Sequence, residues 1–237
     1  MTPAPVPTPT GLPPLHRLLL LLSVTTGLVD AISVLGLGKV FTANMTGNVV
    51  FLGFAAAGTP GFKVAPYLTA IAAFMIGALV AGRVGKHHAG LPLRRWLLVA
   101  ASVEAVLLWI AAAVATGFDV PRQSPEWGVY AIIALTGLAM GFRNATIRQL
   151  KVPDLTTTVL TLTVTGLAAD SSVAGGSNPN WGRRIASVAA IFAGAALGAL
   201  LVTQSGLTLP LILAGALILG GTFACMAHPS AAEPHAA

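Results

Sequence analysis

Charge is scarce in this sequence. Of its 237 residues, only 8% are Asp, Glu, Lys or Arg, whereas 55% are hydrophobic. Soluble domains carry roughly 25% charged residues, so the composition excludes an ordinary soluble protein. Apolar runs of helical length recur from Leu18 almost to the end of the chain. The sequence therefore predicts an all-α polytopic membrane protein whose surroundings are the lipid bilayer.

Residues for metal, disulfide and enzyme chemistry are equally sparse. The one cysteine, Cys225, lies in the last apolar run and excludes an internal disulfide. The five histidines fall in the tails or in one loop, without an HExxH motif or a Cys/His cluster. No GxSxG or Walker A motif occurs either. We predict no metal site, no cofactor and no enzymatic activity.

The net charge of +6 does not indicate nucleic acid as a partner. The thirteen Lys and Arg residues are spread over short loops instead of forming one basic helix face or one dense block. Membrane topology explains this distribution better, because positively charged loops stay on the cytoplasmic side.

Both ends of the chain read as tails. Residues 1–14 contain six prolines and are predicted to be disordered, as are residues 228–237. The first apolar run continues past Leu35 with no clean cleavage site, so we expect an uncleaved first span. A single membrane domain is predicted over residues 15–227.

Eight apolar segments follow one another, and two of them are short. The segments are 18–38, 45–58, 65–82, 96–116, 127–142, 155–169, 184–203 and 207–226. The second and sixth have about 15 residues, or ~22 Å of helix, against a hydrocarbon core of ~30 Å. Each begins with a polar cluster, so we expect about six transmembrane helices and two polar-headed half-helices.

The basic residues distinguish six crossings from eight. Eight crossings would place eight Lys and Arg inside and five outside. Six crossings, with both short segments entering and leaving on one face, place ten inside and three outside. The positive-inside rule favours six crossings with both termini in the cytoplasm.

An internal repeat fits this topology. The stretch from Thr26 aligns with the stretch from Thr136 at an offset of 110, which places Asn44 on Asp154. AAFMIGALVAG from Ala72 resembles AAIFAGAALGA from Ala189 at a slightly larger offset. Three spans per copy invert the second copy, so repeats of about 15–116 and 127–226 would have opposite orientations.

The heads of the two half-helices supply the candidate solute site. FTANMTGN begins the first and VPDLTTT the second, and polar groups are costly in hydrocarbon unless each finds a partner. The predicted solute-binding or pathway residues are Asn44, Thr46, Asn48, Asp154, Thr156 and Thr158. Ordinary N-capping would explain one residue at each start, but not the whole clusters.

Three charged residues are candidates for ion coupling or charge compensation. Asp30 lies inside the first span and Glu104 in the middle of the fourth apolar segment, where carboxylates are functional candidates by default. Arg143 is the alternative partner that would make Asp30 purely structural. Arg143 itself is predicted to follow the positive-inside rule at the cytoplasmic end of its helix. Glu104 has a structural alternative too, a protonated side chain bonded to a neighbouring Ser or backbone carbonyl.

The strings GLVDAISVLGLGKVFTANMTGNVVFLG and GFRNATIRQLKVPDLTTTVLTLTVTGLAAD resemble the YoaK/DUF1275 family of bacterial membrane proteins. The resemblance covers roughly residues 15–226. It implies a bacterial inner-membrane protein of about six spans, and it implies no particular biochemical activity.

These observations together lead to the hypothesis of a small-solute secondary transporter. Coupling of solute movement to protons is part of this hypothesis. The rival is a non-transporting scaffold or partner-binding protein whose polar breaks only pack against each other. Gly194-Ala-Ala-Leu-Gly198 matches GxxxG, a motif that serves packing within a chain more often than dimerisation. A homo-oligomer is therefore left open.

Overall fold

A computed structural model describes residues 14–87, 92–149 and 160–227, and these ranges are helical without a β-strand. A short 3₁₀ turn, Ser172–Ala174, follows the sixth helix. The helices are α1 Pro14–Gly36, α2 Met45–Ala56, α3 Val64–His87, α4 Leu93–Ala115, α5 Glu126–Gln149, α6 Leu160–Ala169, α7 Trp181–Ser205 and α8 Thr208–Met226. The prediction of an all-α polytopic membrane protein is confirmed. The predicted tails lie outside the described residues, except that Pro14 already belongs to α1.

Five of these helices are long and apolar enough to cross a membrane: α1, α3, α4, α7 and α8. Helix α5 has 24 residues but is not among them, because Arg143 and Asn144 interrupt its apolar sequence. Both residues are buried inside the protein, as are twelve others of this helix. A helix that is covered by protein on most sides does not need an apolar surface, so the burial of α5 is compatible with the predicted sixth span.

Helices α1 and α5 form the centre of the bundle. Two-thirds of the apolar window of α1 is buried, compared with 28% for α7 at the periphery. Helix α1 packs mainly against α7 and α8, and α5 packs mainly against α3 and α4. Helices α4 and α8 also pack against each other. The large apolar side chains that remain exposed lie mainly on the outer helices, as expected for a surface in contact with lipid tails.

Glycines allow the two main helix pairs to approach closely. A Cβ at Gly27 of α1 would collide with the backbone of Ile191 in α7, and one at Gly194 would collide with the backbone of Val24. In the other pair, a Cβ at Gly141 of α5 would collide with the carbonyl of Phe74 in α3. Small residues of this kind replace hydrophobic burial as the basis of helix packing in lipid.

The helix ends define two faces of the bundle. On the first, His16 at the start of α1 lies 2.7 Å from Arg183 at the start of α7. The ends of α3 and α5 meet on the same face, where Gly85 lies against Gln149. We call this end the basic face, because it carries Arg17, Arg83, Lys86, Arg94, Arg95, Arg148, Arg183 and Arg184.

The other end, the opposite face, joins the end of α1 to the start of α8. There Leu207 packs on Gly36, and the indole Nε1 of Trp109 donates to the carbonyl of Ile212 over 3.2 Å.

Helix α2 does not cross from one face to the other. Lys39, before α2, lies 5.0 Å from the ring centroid of Phe62, after α2, so the chain leaves and returns on the opposite face. The backbone N–H of Ala43 donates to the Oδ1 of Asp30 over 3.0 Å. Because Asp30 lies six residues before the end of α1, the start of α2 lies ~9 Å inside the bundle.

Helix α6 has the reverse orientation. Just beyond its end, Asp170 forms a 2.7 Å ion pair with Arg184 near the start of α7, which is on the basic face. Its first residues, Leu160 and Thr161, lie near the start of α2. Helix α6 therefore runs from the middle of the bundle to the basic face.

Candidate functional site

A cavity of about 530 Å³, which we call the central cavity, lies near mid-height among the helices that the structure describes. The first residues of both half-helices line it, together with residues from the middle of α1, α3 and α7. The lining comprises Thr26, Asp30, Ala43, Asn44, Met45, Thr46, Gly47, Val50, Phe51, Phe74, Leu160, Thr161 and Ile191. The structure thus places the start of α2 and the first described residues of α6 on one cavity.

Asp30 both lines the central cavity and supports the loop before α2. Its Oδ1 accepts the N–H of Ala43, which holds the returning chain against α1. A carboxylate that accepts backbone N–H groups satisfies donors that would otherwise be unpaired in the bilayer interior. Asp30 therefore has a structural role in addition to its position on the cavity wall.

The three predicted residues of α2 have different environments. Asn44 is the N-cap residue, yet its side chain makes no capping hydrogen bond. Asn44 and Thr46 line the central cavity, which leaves their polar groups available there. Asn48 is fully buried, and its amide pairs with both the N–H and the carbonyl of Phe41. Asn48 stabilises the entry loop and does not line the cavity.

The predicted residues of the second half-helix, Asp154, Thr156 and Thr158, lie outside the described residues. Leu160 and Thr161 represent this half-helix in the central cavity.

Arg143 and Glu104 form a buried ion pair between α5 and α4. Arg143 is 2% exposed and Glu104 3% exposed. The Nη1 of Arg143 also donates to α1, reaching the Leu22 carbonyl over 3.1 Å and the Thr26 hydroxyl over 2.9 Å. One guanidinium therefore connects three helices in the interior, and each charge compensates the other.

This arrangement corrects two interpretations of Arg143. It does not lie at the end of its helix on the basic face, because it is six residues before the end of α5 and is buried. Its ion-pair partner is Glu104 and not Asp30, because α4 packs directly against α5 and places Glu104 within reach. Glu104 is correspondingly not an isolated carboxyl bonded to serine or backbone.

A second, smaller cavity adjoins this ion pair. Its volume is about 30 Å³, and it lies among α1, α4, α5 and α8. We call it the small cavity. Its polar lining consists of Glu104, Arg143, Thr146 and Thr222, and the rest is apolar. The Nε of Arg143 is buried without a hydrogen-bond partner.

Thr26 links the two cavities. Its hydroxyl accepts from Arg143 and donates to the Leu22 carbonyl over 2.8 Å, and the residue also lines the central cavity beside Asp30. Contacting polar groups therefore run from the small cavity through Glu104 and Arg143 to Thr26, which shares the wall of the central cavity with Asp30.

Sequence reasoning missed Thr26, Thr146 and Thr222. The signal that could have revealed the network is the presence of one cation and one anion, each embedded in an apolar helix. A pair of opposite charges in two spans is costly unless the two meet.

The comparisons with known proteins agree with this architecture. The model of a protein family of unknown function, DUF1275, matches residues 18–224. The chain belongs to this family. Over 163 residues it is 37% identical to the UPF0700 transmembrane protein YoaK of Bacillus subtilis (strain 168), covering 66% of this chain and 67% of that protein. No solved structure matches it.

The DUF1275 match extends over nearly the whole bundle. It includes every described residue that lines the central cavity and every residue that lines the small cavity. Both cavities therefore lie within the part of this DUF1275 protein that the family model describes.

Proposed function

We propose that this protein is a secondary transporter for a small solute in the bacterial inner membrane, with both termini in the cytoplasm. The observation that carries the proposal is the central cavity at mid-height, where two half-helices from opposite faces begin. Solute sites of secondary transporters lie near the membrane midplane and are formed by discontinuous helices of this kind.

The chemistry of the half-helix starts supports solute binding. The first N–H groups of an α-helix have no partner within the helix, and its N-terminus carries a partial positive charge. The side chain of Asn44 caps none of these groups in α2. Donors from the helix start and the acceptor oxygens of Asp30 and Thr46 thus face one space that a small polar solute would fill.

Helix packing supports the predicted inverted repeat, an arrangement that many secondary transporters share. Gly27 of α1 lies against the Ile191 carbonyl and the Ala195 nitrogen of α7. Gly137, which is 110 positions later, lies against the carbonyl of Ala70 and the nitrogen of Phe74 in α3. Ile191 and Ala195 follow Ala70 and Phe74 by 121 positions each. This offset between α3 and α7 is about one helical turn larger than the offset at which Ala72 aligns with Ala189.

The charge distribution supports the orientation. Among the described residues, and without the buried Arg143, eight Lys and Arg residues belong to the basic face and three, Lys39, Lys63 and Arg122, to the opposite face. The positive-inside rule then assigns the basic face to the cytoplasm.

Cysteine labelling tests this topology. In a variant with Cys225→Ser, a cysteine at Thr59 should react with an impermeant reagent added outside, and one at Ser177 should not. Both positions are exposed in loops, so the accessibility of the side chains is matched. Labelling at both positions would contradict the six-crossing topology, and the reverse pattern would invert its orientation.

A solute screen tests transport chemistry directly. Purified protein is heated in the presence of candidate solutes, since a solute at 100 times its Kd stabilises the folded state by ~2.7 kcal/mol. Any hit is then measured for uptake into proteoliposomes. The control is Asn44→Ala with Thr46→Val, which should remove the solute-dependent stabilisation while leaving the unliganded melting temperature nearly unchanged.

The alternative is a non-transporting scaffold, and one observation favours it. Asp30 and Asn48 are both used to hold the loop before α2 in place, as expected if the polar clusters serve packing alone. A solute that binds but is not taken up, or the absence of any hit in a broad screen, would favour the scaffold.

A further inference from the structure

We propose that the small cavity holds ordered water that exchanges protons between the basic face and Glu104. One part of this inference rests on the proposed transporter: Glu104 would be the residue that couples proton movement to solute movement. The geometry of the ion pair itself defines the site.

The size and polarity of the small cavity fit water. A volume of about 30 Å³ exceeds the ~10–15 Å³ that one water needs by this measure, so there is room for about two molecules. A buried water also needs two to four polar partners. The unpartnered Nε of Arg143, the Oε1 of Glu104 and the hydroxyls of Thr146 and Thr222 provide them.

Charge balance excludes a bound ion as the resting ligand. Arg143 and Glu104 already neutralise each other, and no other charged group among the described residues lines the cavity. Helix α1 contributes only leucines to it, and α8 contributes Ile218 and Thr222. Asp30 lies in the other cavity, beyond Thr26. A neutral ligand that both donates and accepts hydrogen bonds is what the remaining groups require.

The position of the small cavity gives the water a route. Its lining begins with Leu18, four residues after the start of α1 and so ~6 Å from the basic face. Its other end is Glu104, the twelfth of the 23 residues of α4. The residues that line the cavity therefore extend from near the basic face to the ion pair.

Protonation of Glu104 through the cavity water conserves atoms and charge. A hydronium ion at the basic face gives its proton through the cavity water to one carboxylate oxygen of Glu104, and water remains. Glu104 changes from −1 to neutral, Arg143 keeps its charge, and the net charge of the pair rises from zero to +1. Because its pairing with Glu104 is then weaker, Arg143 depends more on its hydrogen bond to Thr26, which borders the central cavity.

Infrared difference spectroscopy on the full-length protein tests this site without any solute. A protonated carboxyl has its own carbonyl-stretch band, and the band shifts when deuterium replaces the proton. In a pH titration we expect one such band to be absent from Glu104→Gln and retained in Asp30→Asn. In wild-type protein the band should shift within the mixing time after transfer to D₂O.

Filling the cavity should slow that exchange. Ala101→Leu places a larger side chain in the cavity, and we expect about tenfold or slower exchange because a missing water removes the hydrogen-bonded carrier. Ala113→Leu, on the exposed surface of the same helix, is the matched control and should exchange like wild type. Thr222→Val is a milder cavity variant if Ala101→Leu lowers the yield of folded protein.

Two results would overturn the proposal. One is a carboxyl band that persists in Glu104→Gln, which would assign the proton to another acid. The other is exchange that stays fast in both folded cavity variants but slows in Asp30→Asn, which would route protons through the central cavity. Neither outcome depends on the solute screen, so the failure of the transport proposal and the failure of this one are distinguishable.

Discussion

Two acids within the described helices, Glu104 and Asp30, are stabilised in different ways. Glu104 lies between tightly packed helices and is compensated by a full positive charge on Arg143. Asp30 lies on the wall of a much larger cavity and is compensated by the N–H of Ala43. A charge pair fixes two helices relative to each other, whereas a bond to backbone fixes one loop. The difference indicates that Glu104 belongs to the bundle core and Asp30 to the entry of α2.

The largest expected effect comes from breaking the ion pair. Glu104→Gln leaves Arg143 without a compensating charge and should lower the free energy of unfolding by ~3–5 kcal/mol. Glu104→Leu with Arg143→Met should recover most of that loss, because both charges then leave the interior. Denaturation in mixed micelles measures each variant. Arg122→Gln, which breaks an exposed pair with Asp119, is the control and should cost less than ~1 kcal/mol.

If the double variant is no more stable than the single one, then Glu104 and Arg143 do not compensate each other, and the contrast with Asp30 disappears.

A smaller effect is expected at Asp30. Asp30→Ala removes the acceptor of the Ala43 N–H and should cost ~1–3 kcal/mol, the usual result of leaving a buried donor unpaired. Asp30→Asn keeps an acceptor oxygen and should cost clearly less. The same denaturation measurement applies to both. Equal losses in the two variants would show that the charge of Asp30 matters more than its hydrogen bond.

Substitutions at Thr26 test the hydrogen bond that joins Arg143 to α1. Thr26→Val removes an acceptor of the Arg143 guanidinium as well as a bond to the Leu22 carbonyl. Thr25→Val removes only a bond to that carbonyl. It is the matched control, because Thr25 is the adjacent residue of α1 and is also buried. Because hydrogen bonds to charged groups are stronger, Thr26→Val should cost ~1 kcal/mol more than Thr25→Val. Equal costs would contradict the assigned link to Arg143.

The smallest effect is expected at Asn44. Loss of an N-cap side chain normally costs ~1 kcal/mol, but this side chain makes no capping bond. Asn44→Ala should therefore change the free energy of unfolding by less than ~0.5 kcal/mol. A loss of ordinary capping size would show that Asn44 stabilises α2 after all, which would strengthen the scaffold alternative.

The parts that the sequence predicted are those that depend on local patterns. The start of α2 at Met45 and the end of α6 at Ala169 match the polar-headed short segments. The partner of Arg143 was not predictable in the same way, because it depends on how α4 and α5 are rotated against each other. A single-sequence pattern contains no direct record of that rotation.

The central cavity illustrates both cases. The convergence of two half-helix starts follows from the inverted arrangement of the segments, so the sequence could indicate it. The use of Asn48 to hold Phe41 could not be inferred, since an Asn that lines a cavity and an Asn that binds backbone look alike in sequence.

The burial of α5 has a consequence for how the protein is made. Among the described residues, its main contacts are with α3, α4 and, more weakly, α1, all of which are synthesised before it. Arg143 thus finds Glu104 and the carbonyl of Leu22 already in the membrane when it leaves the ribosome. We expect α5 to integrate into the membrane poorly as an isolated segment and efficiently when it follows the preceding four helices. Glu104→Leu should reduce the efficiency of integration in the longer chain. An insertion assay with a glycosylation reporter measures both, and equal integration in the two contexts would contradict this order of assembly.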